Sequence, residues 1–91
     1  MSDVVFPVYV LAKDCGEVTA YQSVVAMQGY MEAIDVENDE YDAWDATGRL
    51  IQLSVGSSKS QWLQIATKDE MAPNEDFAAI TAKAVPYRQR G

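Results

Sequence analysis

Residues 32–55, EAIDVENDEYDAWDATGRLIQLSV, hold both the strongest turn signal and the strongest charge anomaly of the chain. Asp45-Ala46-Thr47-Gly48-Arg49 reads as a hairpin with a three-residue loop, Gly48 in the left-handed region and Asp45 facing Arg49 as an opposite-charge pair. The register then follows. Ala43, Tyr41 and Asp39 fall opposite Ile51, Leu53 and Val55 on a mostly apolar face. Trp44, Asp42 and Glu40 fall opposite Leu50, Gln52 and Ser54 on a mostly polar one. A slip of one residue would exchange the faces and lose this segregation, because side chains alternate with period two. The first fourteen residues of the stretch, Glu32 to Asp45, carry seven acids and no base. The other 77 residues carry seven of each, so the net charge of −7 equals the charge of this block.

Upstream, residues 4–13 (VVFPVYVLAK) are β-branched and aromatic on both alternating faces, the pattern of a buried strand. Pro7 cannot donate to a ladder, so pairing is expected from Val8. Asp14-Cys15-Gly16 reads as a three-residue hairpin loop opposing Lys13 to Glu17. A two-residue loop would oppose Asp14 to Glu17, two like charges. A second strand, Val18 to Tyr21, follows. Ser23 is placed to cap a helix from Val24 to about Ala33, with Val24, Met27, Met31 and Ile34 on one face and Tyr30 beside them. Gly29 inside that helix costs about 1 kcal/mol against alanine and points to close packing or a bend.

Downstream, residues 56–60 form a small-residue loop. Gln61 to Thr67 reads as a strand with Leu63 and Ile65 inward and Trp62 and Gln64 outward. Residues 68–73 connect to a last helix capped by Asn74, with Glu75 and Asp76 in its first turn and Phe77, Ile80, Ala84 and Val85 as its apolar stripe. Pro86 stops it before a basic tail. The expected architecture over residues 1–91 is one α+β domain: an antiparallel sheet of four to five strands with two helices packed on it.

Composition excludes several classes. The chain has no histidine, hence neither the commonest general base nor the usual catalytic zinc ligand. The single Cys15 lacks an activating imidazole, and one cysteine suits a reducing compartment. No apolar run approaches a membrane span, and the acid in MSDVVFPVYVLAKD sits where a signal peptide carries bases, so a cytoplasmic location is expected. A pI near 4.2 disfavours nucleic acid and anionic membrane as partners. The GxSxG, Walker A and dinucleotide fingerprints are missing, and residues 54–58, SVGSS, have no partner base. The clustered carboxylates do not form a differentiated glycosidase pair. Asp35, Glu37 and Asp39 match the first ligands of an EF-hand loop, yet Glu40 stands where that loop needs glycine and Ala46 where it needs glutamate. No metal, cofactor or catalytic residue is expected.

The acids therefore read either as a solvated strand face, a normal defence of an edge, or as a binding surface. Two features favour binding: the single sign of the charge, and a tryptophan among the acids. The expected contact surface comprises Asp35, Glu37, Asp39, Glu40, Asp42, Trp44 and Leu50, extended by Trp62. If the last helix leaves that face open, it also suits a homodimer.

Residues 31–53, MEAIDVENDEYDAWDATGRLIQL, resemble a segment of small acidic immunity proteins from contact-dependent inhibition and related polymorphic toxin systems of bacteria. There a helix ending in EAIDVEN leads into an EYxAWDAxGR hairpin. The resemblance covers about a quarter of the chain. It implies a non-enzymatic protein that neutralises one cognate toxin domain, often a nuclease with a basic, phosphate-binding site. The alternative expectation is an acidic adaptor for a basic segment of a housekeeping protein.

Overall fold

A computed structural model of the chain describes residues 4–57 and 62–87. Strands β1 (Val8–Ala12) and β2 (Val18–Tyr21) precede helices α1 (Val24–Tyr30) and α2 (Ala33–Glu37). Strands β3 (Tyr41–Trp44), β4 (Arg49–Val55) and β5 (Leu63–Met71) follow, then helix α3 (Asn74–Lys83) and strand β6 (Val85–Pro86). The sheet has six strands in the order β5-β4-β3-β1-β2-β6, and it is mixed because β6 runs parallel to β2. The expected antiparallel sheet of four to five strands with two helices is thus corrected, among the described residues, to a six-stranded mixed sheet with three helices.

Both extra elements have local causes. Proline disfavours helical backbone in the residue before it, so Pro86 turns Val85 extended and α3 ends at Lys83. Residues 85–86 then lie along β2 in the register Thr19↔Val85 and Ala20↔Pro86, an edge position where a missing N–H is tolerated. The extra helix comes from a break in the first one. Ser23 caps α1 as expected, its Oγ accepting from the Ala26 N–H at 3.1 Å. Met31 and Glu32 are extended, however, with ψ of 152° and 138°. The break rephases the apolar residues: Met31 and Val36 enter the core, while Ile34, expected inward, is 62% exposed.

Alternation along the strands separates two faces. Val8 and Val10 point to the face covered by α1 and α2, where Tyr21, Met27, Met31, Val36, Ala43, Ile51 and Leu63 complete the core. Tyr9 points to the other face, where Phe77 of α3 meets it edge-on at 5.7 Å between ring centroids. That ring lies 3.4 Å from where a Cβ on Gly48 would stand, an ordinary contact, and it is the φ of +89° at Gly48 that favours glycine there. Asn74 is the first residue of α3, not its cap; Pro73 holds the cap position and its carbonyl accepts from the Phe77 N–H.

Two registers differ from expectation. In the first hairpin Leu11 pairs with Val18, and the Ala12 N–H donates to the Glu17 carbonyl, so the loop has four residues and Lys13 does not face Glu17. Lys13 turns instead to the acidic block. In the second hairpin Trp44↔Leu50 forms as expected, but the ladder stops there. The pairs Ala43↔Ile51, Tyr41↔Leu53, Asp39↔Val55, Asp42↔Gln52 and Glu40↔Ser54 do not form. On their other edges β3 is paired along its length with β1, and β4 with β5 from Ile51 to Val55. The strands diverge between those commitments.

Strand β5 also overruns the expected connection at residues 68–73. Arg49 pairs with Met71 and Ile51 with Thr67, so a bulge adds two residues on β5 around Lys68, Asp69 and Glu70. Three charges on a kinked edge discourage pairing with another chain.

Gly29 is not demanded by crowding, because an added Cβ would meet only the Tyr87 hydroxyl, at 3.8 Å. Gly29→Ala is expected to raise stability by about 0.5–1 kcal/mol through helix propensity. Urea denaturation checks this, and a loss of stability would show that Tyr87 needs the space.

Candidate partner-binding surface

The acidic block is distributed by the turn geometry of α2 and of the β3–β4 hairpin. Helix α2 closes with Asn38 as C-cap and Asp39 in the left-handed region at φ +57°. The Glu40 N–H reaches the Asp35 carbonyl at 2.9 Å and the Asp39 N–H the Val36 carbonyl at 3.2 Å, the paired bonds of a Schellman motif. Glycine is usual at that position, and Asp39 occupies it with its side chain 87% exposed. Its carboxylate takes the Lys13 ammonium at 3.3 Å, and Asp42 takes the same group at 3.5 Å. Slight desolvation pulls the Lys13 pKa down, but the two carboxylates outweigh it and hold the ammonium above its ordinary value.

Asp45, expected to be neutralised in part by Arg49, is instead a buried structural carboxylate at 1% exposure. Its Oδ1 accepts from the Thr47 N–H at 2.9 Å, the Thr47 hydroxyl at 2.6 Å and the Arg49 backbone N–H at 3.1 Å. Its Oδ2 accepts from the Val5 N–H at 3.4 Å. Among the described residues the ion pairs are those of Lys13 with Asp39 and Asp42, so the Arg49 guanidinium takes no part. Burial pushes the Asp45 pKa up, but these hydrogen bonds outweigh it and bring it below the ordinary range.

The divergence of β3 and β4 opens a cleft of about 190 Å³ that gathers four of the expected contact residues, Asp39, Asp42, Trp44 and Leu50. Trp44 and Leu50 are half-buried, and Asp42 is exposed. Lys68 of β5 also lines the cleft. Asp35 and Glu40 line a different cavity, of about 200 Å³, between the first hairpin and α2. There the Tyr41 hydroxyl donates to Asp35 Oδ2 at 3.3 Å. Burial first, then the Asp35 charge, raises the Tyr41 pKa and keeps this donor protonated. Glu37 is exposed at the end of α2.

Trp62 stands apart. It packs against the core just outside β5, where its carbonyl accepts from the Gly56 N–H. Val55 pairs with Leu63 at that end of β4 and Leu50 with Trp44 at the other. Five residues of strand, about 17 Å, separate the ends. The expected surface therefore divides into a cleft, a cavity and a remote tryptophan.

Sequence reasoning missed Lys13, Asp14, Glu17 and Tyr30. Lys13 was expected to face Glu17, and its ammonium pairs with Asp39 and Asp42 instead. Among the described residues, no group of three or more histidine, cysteine, aspartate or glutamate side chains is arranged to hold a metal ion. No described helix is long and apolar enough to cross a membrane. No family model matches the chain, and no similar curated protein or solved structure is found.

Asp45 carries a pH signature. Its folded-state pKa lies below the ordinary 3.8, so its contribution to stability is complete above that value and lost as pH falls through the lower one. Asp45→Ala, which orphans several donors, is expected to cost about 2–3 kcal/mol at pH 7. Asp45→Asn is expected to cost less, with its deficit shrinking below pH 4 as the wild-type carboxylate protonates. Urea titrations across pH 2.5–7 check both. A deficit independent of pH would remove the carboxylate charge from the account.

Proposed function

We propose that this chain is a non-enzymatic immunity protein that binds and neutralises a cognate bacterial toxin domain with a basic active site, of the nuclease class. The carrying observation is the seven acids in fourteen residues without a base, which run from the start of α2 through β3 to its turn and, Asp45 apart, stay at least partly exposed beside a half-buried tryptophan. The resemblance of residues 31–53 to immunity proteins supports the same reading. Acidic side chains at the surface would steer a phosphate-binding site toward this face, and Trp44 would supply the apolar anchor. The partner surface would centre on Asp39, Asp42, Trp44 and Leu50 and extend to Asp35, Glu37 and Glu40. Binding there would occlude the toxin's phosphate site in the cytoplasm of the producing cell.

Co-expression with the toxin domain encoded immediately upstream tests this reading. Survival and a complex that persists through gel filtration are expected; continued killing with no complex defeats it. An acidic adaptor of a housekeeping protein would bind its partner without any linkage to a toxin gene. In the complex, Asp42→Lys combined with Trp44→Ala is expected to raise the Kd about 30-fold or more while leaving the fold intact. Association should slow steeply between 50 and 300 mM salt, as it does for charge-steered pairs. Salt-independent association would remove the acidic surface from the mechanism.

A further inference from the structure

The groove where β2, β6 and the end of α1 meet has a volume of about 520 Å³, more than twice that of the cleft or the cavity described above. That size falls within the roughly 300–1,000 Å³ of ligand sites. None of the seven acids of the block lines it. Its charges are one acid, Glu17, and one base, Lys83, which balance and favour an uncharged ligand. The rest of the surface is more apolar than polar, and Tyr30 and Val85 are 63% and 64% exposed on it.

Two tyrosine rings form the wall. Tyr30 and Tyr87 stand 5.6 Å apart between centroids, and both lean on Tyr21, itself 1% exposed, at 6.4 and 5.3 Å. The Tyr87 N–H ties its segment to β2 through the Ala20 carbonyl at 2.9 Å. The rings are therefore in place before any ligand arrives. Among the described residues their hydroxyls take part in no hydrogen bond, and Lys83 takes part in no ion pair. Three donors, two hydroxyls and an ammonium, thus stand beside an apolar surface.

Backbone geometry limits the form of the ligand. The Tyr87 N–H faces β2, so Pro86, one residue back, faces outward, where it has no N–H to give an added strand. A helix, about 10–12 Å across, fills this volume within roughly one turn. A polyproline II segment meets both limits. It makes no internal hydrogen bonds, so its carbonyls are free acceptors, and proline brings no N–H that an apolar groove would leave unmet. Its rings also pack against aromatic faces, and its extended form is set before binding.

We infer that this groove binds an uncharged, proline-rich segment of a partner protein in the polyproline II conformation. The proline rings lie on Tyr30 and Tyr87, and the segment's carbonyls accept from their hydroxyls and from Lys83. The inference stands apart from the immunity reading, because none of the residues assigned above to the toxin surface lines the groove.

The test is an NMR titration of the isotope-labelled protein with acetyl-hexaproline amide, with an uncharged hexapeptide of alternating glycine and serine as control. Saturable shifts are expected at residues 16–19, 30, 83–85 and 87 with hexaproline and not with the control. Tyr30→Leu removes a ring face and a donor, and should weaken binding about fivefold or more. Tyr30→Phe keeps the packing on Tyr21 and loses only the donor, and should weaken it about twofold or more. Absence of saturable shifts, equal shifts with the control, or shifts confined to the cleft at Trp44 overturns the groove as a proline site. So does wild-type affinity in both Tyr30 variants.

Discussion

The buried carboxylate of Asp45 is the interaction on which the arrangement of strands depends. One oxygen gathers the Thr47 N–H, the Thr47 hydroxyl and the Arg49 N–H, which closes the β3–β4 turn. The other reaches across the chain to the Val5 N–H, and the Ala46 N–H donates to the Val5 carbonyl. The segment entering β1 is therefore stitched to the turn that separates β3 from β4. That stitch places β3 between β1 and β4 before any ladder is counted. A charge at 1% exposure would be costly without these donors, and with them it organises three strands.

The acids of the block fall on either side of β3. Strand β3 follows β1, β4 follows β5, and the two diverge beyond Trp44↔Leu50. On one side of the divergence, Asp39 and Asp42 share Lys13. On the other, Asp35 and Glu40 meet Asp14 and Glu17 beside two tyrosines. A run of seven acids would repel itself if displayed on one face. The fold disperses it, sending Asp45 inward, giving Asp39 and Asp42 a lysine, leaving Glu32 and Glu37 exposed at the two ends of α2, and setting Asp35 and Glu40 toward the first hairpin. The charge that remains uncompensated is what a basic partner would meet, and it is shared between segments distant in sequence.

Local chemistry was legible and competition between distant groups was not. The Ser23 cap, the start of pairing at Val8 and the Ala46-Thr47-Gly48 loop depend on neighbouring residues, and each stands as read. The end of α3 was also legible in principle, since a residue before proline avoids helical backbone, but the strand it becomes needs the free edge of β2. The first hairpin differs by one residue from the reading, and Lys13, expected to face Glu17, bonds to Glu40 through its N–H and to Asp39 and Asp42 through its ammonium. Ile34 was assigned inward on an unbroken helical period, which the extended Met31 and Glu32 interrupt. Trp62 was grouped with Trp44 by alternation alone, although the length of β4 lies between them. The cavity containing Asp14, Glu17, Asp35 and Glu40 could not be read from spacing, because no period relates two loops.

The claim that the acidic elements form the contact surface is tested most directly by hydrogen–deuterium exchange of this protein, free and bound to the toxin domain proposed as its partner. Added protection is predicted in residues 13–17 and 35–44, with α3 and the β5 edge exchanging as in the free protein. Protection confined to α3 and β5, with residues 13–17 and 35–44 unchanged, would contradict it.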